Sequence, residues 1–273
     1  MCTTRRLRRW SAGGAALLLA AAVTACGSDG SSVETSGDTQ AAGTPAAADP
    51  AEFCEASVDV EASFAGAPPI DETTPPEEAQ AALEEFGAEV EPLLAHAEET
   101  APSELAEDVG TAVGAVREAL AGDMSALDSD EYVAADDAID EYMLAECGYE
   151  HIEATGVDYE YEGIPDTVPA GTVAVTFTNE GEELHEIGIA RINDDVSMPL
   201  EEIAALPPEE SESMIQFTGA AFAHPGGSDT VFLKMEPGRY GAACFVPQGT
   251  THDTEGSGPP HMALGMLAEF EVE

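Results

Sequence analysis

The sequence predicts a multidomain α + β protein, with an N-terminal helical bundle followed by a Greek-key β-sandwich. Three observations predict it. From about residue 51 to 150, apolar residues recur at helical spacing in an Ala- and Glu-rich background. Near Val157 the pattern turns to alternation, with short β-branched runs separated by Gly and Pro turns. Seven or so such strands describe a sandwich. Ahead of both lies a stretch too poor in large apolar residues to build a core. The boundaries read as a leader over 1–25, a linker over 26–50, the bundle over 51–152 and the sandwich over 153–273.

The leader carries Arg5, Arg6, Arg8 and Arg9, then an apolar run from Ala15 to Ala22 that is too short to span a bilayer. Val23-Thr24-Ala25-Cys26 follows and resembles the lipobox of bacterial lipoproteins. That resemblance implies a signal peptide, a lipid on Cys26 as the new N-terminus, and a chain anchored at the cell membrane on its extracytoplasmic face. Gly27 to Pro50 is Ser, Gly, Thr, Ala and Asp, the composition of a flexible tether.

The five cysteines divide unequally. Cys2 leaves with the leader and Cys26 takes the lipid. Of the remaining three, two are expected to pair in an oxidising compartment. Cys54 and Cys147 bracket the helical segment and are the predicted disulfide. Cys244 is then the odd thiol, which must be buried or metal-bound to escape oxidation.

Eight basic residues stand against 55 acidic ones, a formal charge of −47. Four of the eight are the leader arginines, so the mature chain keeps four. Such a surface disfavours nucleic acid and anionic head groups and favours a basic patch on a redox partner protein. The acid is spread over linker and both domains, which fits adaptation to salt better than one docking face.

Four helices are expected. Ala51–Phe64 carries Phe53, Val58, Val60 and Phe64. A second opens at Thr74-Pro75-Pro76, with Thr74 as N-cap and Pro92 as a kink or break. Ser103 caps a third, striped by Leu105, Val109, Val113 and Val116. The fourth runs from Ser129 to Glu146. No catalytic constellation lies here, and the only histidine, His96, reads as a surface residue.

Strands are expected at Val157–Tyr161, Thr172–Thr178, His185–Ile192, Met214–Phe217, Thr230–Met235, Tyr240–Phe245 and Met266–Val272, with a helical insert over Ser197–Leu206. His151 and His224 have no supporting spacing and read as surface residues. Asn179-x-Gly181-x-x-x-His185, Pro237-Gly238-x-Tyr240-x-x-x-Cys244 and His261-x-x-x-Gly265-Met266 follow one another on strand ends. In that order they resemble the cupredoxins, the plastocyanin and azurin superfamily, over roughly Tyr161 to Val272.

The resemblance implies one copper ion of type 1 character, with His185, Cys244 and His261 as equatorial ligands and Met266 as the weak axial one. Beside it stands the chemistry of the donors. A thiolate, two imidazoles and a thioether suit copper over magnesium or calcium. One departure matters. Cys244 and His261 lie 17 positions apart, where typical members have only a few residues between them. Either the intervening loop folds out and returns His261 to the site, which costs little, or His252 is the ligand, or the site is degenerate. Gln248 is a further alternative, as an axial donor. The functional expectation is a lipid-anchored electron carrier or copper-handling protein rather than an enzyme. The alternative is a metal-free cell-surface interaction lipoprotein with a degenerate cupredoxin-like domain.

Overall fold

All four expected helices form where their apolar stripes lie. The computed structural model describes residues 49–70, 74–251 and 254–273. Helix α1 is Pro50–Phe64, capped by Asp49, whose carboxylate accepts from the Ala51 N–H at 3.1 Å. Helix α2 is Pro76–Thr100. Its N-cap position is Pro75 rather than Thr74, and Pro92 lies inside the helix without ending it. Helix α3 is Ala106–Leu120 and begins after Ser103, whose hydroxyl donates to the Glu104 carboxylate instead of capping. Helix α4 is Asp130–Glu146, and Ser129 caps it by accepting from the Tyr132 N–H. Cys54 and Cys147 form a disulfide that ties α1 to the end of α4, with Cα atoms 5.7 Å apart. Among the described residues no helix is long and apolar enough to cross a membrane.

The β half runs β1 Glu150–Val157, β2 Glu160–Glu162, β3 Thr167–Val168, β4 Gly171–Asn179 and β5 His185–Ile192. Two short helices follow, α5 Leu200–Ala204 and α6 Pro208–Glu212. Then come β6 Ile215–Ala223, β7 Ser228–Met235, β8 Gly238–Ala243 and β9 Leu267–Val272. They make two mixed sheets, ordered β2-β1-β4-β7 and β3-β9-β8-β5-β6. The pairs β1–β4 and β3–β9 are parallel and the rest antiparallel. Val175, Phe177 and Leu233 of the first sheet meet Ile187, Ile189, Ala242 and Phe270 of the second in one core.

Strand β1 starts seven residues before the expected alternation. Its inward positions are Ile152, Ala154 and Gly156, and the last two are too small to mark the period of two. Strand β6 is likewise longer than expected. It continues past Phe217 through Gly219-Ala220-Ala221, with a register shift opposite Ile189 and Ala190.

The helices cover the outer face of the first sheet. Phe232 of β7 and Ala174 of β4 share a core with Phe53, Val58, Leu94 and Met143. The Phe232 N–H donates to the Glu61 carboxylate of α1 at 2.7 Å, and Lys234 pairs with Asp59. Helix α1 thereby satisfies an edge-strand donor that would otherwise face solvent. Helices and sheets belong to one compact unit.

Candidate metal centre

Strand register places three candidate residues at one pole of the two sheets. Gly188 of β5 and Leu267 of β9 both pair with Ala243 of β8. His185 at the start of β5, Cys244 just past the end of β8, and Met266 just before β9 therefore lie side by side. The Cys244 N–H donates to the Met266 carbonyl at 3.3 Å.

His261 reaches the same pole because the long loop closes at its base. Pro247 and Pro260 form an isolated antiparallel bridge, and Gln248 N–H donates to the Pro259 carbonyl at 2.9 Å. The His261 N–H then donates to the Val246 carbonyl at 3.0 Å, and Met262 N–H to the Cys244 carbonyl at 2.8 Å. The extra residues are pinched off as a side loop. A short 3-10 turn, His261–Leu264, ends at Gly265, whose φ of 117° leads the chain into Met266.

His185, Cys244, His261 and Met266 are each 0 % exposed. Cys244 Sγ lies 3.4 Å from His261 Nδ1 and 4.0 Å from His185 Nδ1, and the two Nδ1 atoms are 2.9 Å apart. A triangle with those three edges has its centre about 2 Å from every corner, close to metal–imidazole bond lengths of about 2.0–2.1 Å.

The outer edges of both rings are occupied. His185 Nε2 is 2.6 Å from Asp158 Oδ1, and His261 Nε2 is 3.0 Å from Glu183 Oε2. An ionised carboxylate only accepts, so each Nε2 carries the proton. A neutral imidazole then has a bare Nδ1. Two lone pairs and a sulfur converge on one buried point, and a cation there satisfies all three.

Burial pushes the Cys244 thiol up to about 11, against the lowering effect of the Glu186 N–H, which donates to Sγ at 3.4 Å. Burial also lowers the His185 pKa, although Asp158 pulls the other way. Burial works to raise Glu183, but hydrogen bonds from Gly249 N–H, His261 and Tyr159 outweigh it and hold the carboxyl below its usual range. Glu186, whose carboxylate accepts from the Phe245 N–H at 2.7 Å, is raised by burial.

The other candidates lie elsewhere. Gln248 donates its amide to the Tyr159 hydroxyl at 2.9 Å, so it meets the site through Tyr159 and Glu183 rather than as a donor to the central point. His252 and Cys26 fall outside the described residues. His96, His151 and His224 are exposed, and His151 Nε2 lies 2.8 Å from Thr176 Oγ1. Sequence reasoning missed Asp158, Tyr159, Glu183 and Glu186. Asp158 had no local signal, being 27 positions from the ring that it holds. Glu183 and Glu186 flank His185, and their place in the Thr178–His185 turn and the strand after it was the available clue.

No protein-family model matches the chain, and no curated protein matches it. Solved structures do match, over somewhat less than half of the chain. Reduced auracyanin from the photosynthetic bacterium Roseiflexus castenholzii is 28% identical, over 46% of this chain and 99% of its own, with a TM-score of 0.32. Auracyanin A from Chloroflexus aurantiacus, described as a "blue" copper protein, is 19% identical over 46% of this chain and 100% of its own, at a TM-score of 0.30. Rusticyanin from Thiobacillus ferrooxidans is 18% identical over 45% of this chain and 76% of its own, at 0.30. Histidine, cysteine, histidine and methionine gather in that chain order at one pole of the two sheets, the order in which the sequence resembles the cupredoxins.

Proposed function

We propose that His185, Cys244 and His261 would hold one copper ion, with the buried Met266 beside them as a further, weak donor, and that the protein carries electrons or handles copper outside the cytoplasm. The observation that carries this is the convergence of two bare Nδ1 atoms and Sγ on one buried point about 2 Å from each. A copper ion bound there supplies one-electron redox chemistry. The chain's own residues do the rest. Strand ends fix Cys244 and His185, which limits how far the donors could rearrange around a bound ion. The Glu186 N–H donates to the sulfur and stabilises its charge. Full burial of all four side chains keeps bulk water away. A closed donor set supports a carrier rather than an enzyme, which needs an open position for substrate.

The finer architecture belongs to the same reading, as a Greek-key sandwich of cupredoxin type carrying a four-helix bundle. The leader, Cys26 and the Ser/Gly-rich tether support a lipid-anchored protein on the extracytoplasmic face. Its acidic surface favours a redox partner with a basic patch.

The test is a titration of the purified chain with Cu(II), followed by visible absorption. The expected result is a strong thiolate-to-copper band that saturates at one equivalent and is lost in Cys244→Ala and His261→Ala. Full copper stoichiometry with an unchanged spectrum in Cys244→Ser would sink the assignment. No band and no binding in the unaltered chain would leave the metal-free interaction lipoprotein as the better reading.

A further inference from the structure

Both buried imidazoles are tied at their outer nitrogen to a carboxylate, and both carboxylates are themselves held from behind. Asp158 offers Oδ1 to His185 at 2.6 Å, while its Oδ2 accepts from the Glu182 N–H at 3.1 Å. Glu183 offers Oε2 to His261 at 3.0 Å. The same oxygen accepts from the Gly249 N–H at 2.6 Å, and Oε1 accepts from the Tyr159 hydroxyl at 3.1 Å. Gln248 in turn donates to that hydroxyl. The pinched-off loop between Cys244 and His261 therefore supplies one group that anchors Glu183, the Gly249 N–H, and a second, the Gln248 amide, that holds Tyr159 against it. A Cβ at Gly181 would overlap Asp158 Oδ1 and come within 2.6 Å of His185 Nε2. The turn before β5 is thus shaped around the Asp158–His185 bond.

We infer that Asp158 and Glu183 are the positioning residues of the copper site, that they fix both rings with Nε2 protonated and Nδ1 facing Cys244, and that their charge makes the site favour Cu(II) over Cu(I). The inference rests on the copper reading above. A carboxylate behind a metal-bound imidazole raises the basicity of the ring, and loss of such a partner lowers metal affinity about 10–100-fold. Two carboxylates facing two rings of one site add negative charge that stabilises the dipositive ion more than the monopositive one. A purely structural role for these carboxylates would weaken both ions alike.

The experiment has two arms on the full chain. In the first, histidine 15N NMR of the metal-free protein reads the ring protons directly. Both His185 and His261 are expected to carry a proton at Nε2, and a bare Nε2 on either ring would overturn the inference without any copper being present. In the second, Cu(II) and Cu(I) affinities are measured by competition for the unaltered chain, Asp158→Asn and Glu183→Gln. These isosteres keep an acceptor oxygen and remove only the charge. Each is expected to lose about tenfold or more in Cu(II) affinity relative to Cu(I), the equivalent of a rise of about 59 mV in potential. Equal loss for both ions, or no loss, would overturn the charge role. Absence of copper uptake by the unaltered chain would instead refute the copper reading, and the NMR arm would still decide the tautomers.

Discussion

At the scale of single residues, the pole is built from side chains that leave one another almost no freedom. His185 is gripped between Cys244, His261 and Asp158, and Gly181 is the residue that lets Asp158 approach. Gly181→Ala must push the Asp158 carboxylate or the ring aside. The expected outcome is a loss of about 1–3 kcal/mol in stability, the usual range for overpacking a filled site. Urea unfolding midpoints would measure it, and an unchanged midpoint would show that the turn yields freely. Gly156 acts similarly on the other side, where a Cβ would meet the Phe177 ring at 2.6 Å and the Met266 methyl at 2.9 Å.

At the scale of elements, two features hold the helices to the sheets and to each other. The Cys54–Cys147 disulfide closes a loop of 93 positions. In the chain-entropy model its removal destabilises by about 4–5 kcal/mol. The Cys54→Ala, Cys147→Ala double variant is expected to unfold at clearly lower denaturant than the oxidised chain, and equal midpoints would show that the linkage adds nothing. Phe232 is the second feature. It leaves β7 on the helix side, is 0 % exposed, and packs with Phe53, Leu94 and Met143. Phe232→Ala is expected to cost about 3–5 kcal/mol. Circular dichroism would register it as loss of helix and strand in one transition if the shared core couples them. Two separate transitions would show that it does not.

At the scale of the whole molecule, negative charge sets the conditions for stability. Glu61 of α1, Asp136 and Asp140 of α4 and Asp229 of β7 gather where helices meet sheet, with Tyr132 beside them. Burial is the first cause of each shift, and the neighbouring carboxylates add to it. It raises Asp136 from 3.8 to about 6, Asp140 from 3.8 to about 9 and Glu61 from 4.5 to about 8, and it raises Asp229 as well. The folded state therefore binds more protons than the unfolded chain between those limits. Stability from these groups is fully present below the unfolded values and is lost as pH rises through the folded ones. The thermal midpoint is expected to fall steadily from pH 5 to pH 9, and Asp140→Asn to flatten the decline. Added salt is expected to raise the midpoint at pH 8 by screening repulsion across the acidic surface. A midpoint insensitive to salt would show that surface charge is not limiting.

The chain's periodicities were enough to place four helices and most strands, since an apolar stripe or a β-branched run is written in neighbouring residues. The count of cysteines pointed to the disulfide, and the resemblance to the cupredoxins pointed to the four residues of the pole. Strand β1 and the far half of β6 were not legible, because Ala and Gly fill most of their inward positions and carry little periodic signal. The long loop left His261 and His252 as open alternatives. That was decided by hydrogen bonds across the loop base between Val246, Gln248, Pro259 and His261, which no spacing rule encodes. The carboxylates behind the rings came only from the fold. Asp158 and His185 become neighbours because β1 lies parallel beside β4, and the turn after β4 carries the chain back to His185. What the sequence determined by itself was which residues could bind a metal. What only the tertiary structure decided was that two imidazoles turn the same edge inward, since ring orientation is set by partners distant in the chain.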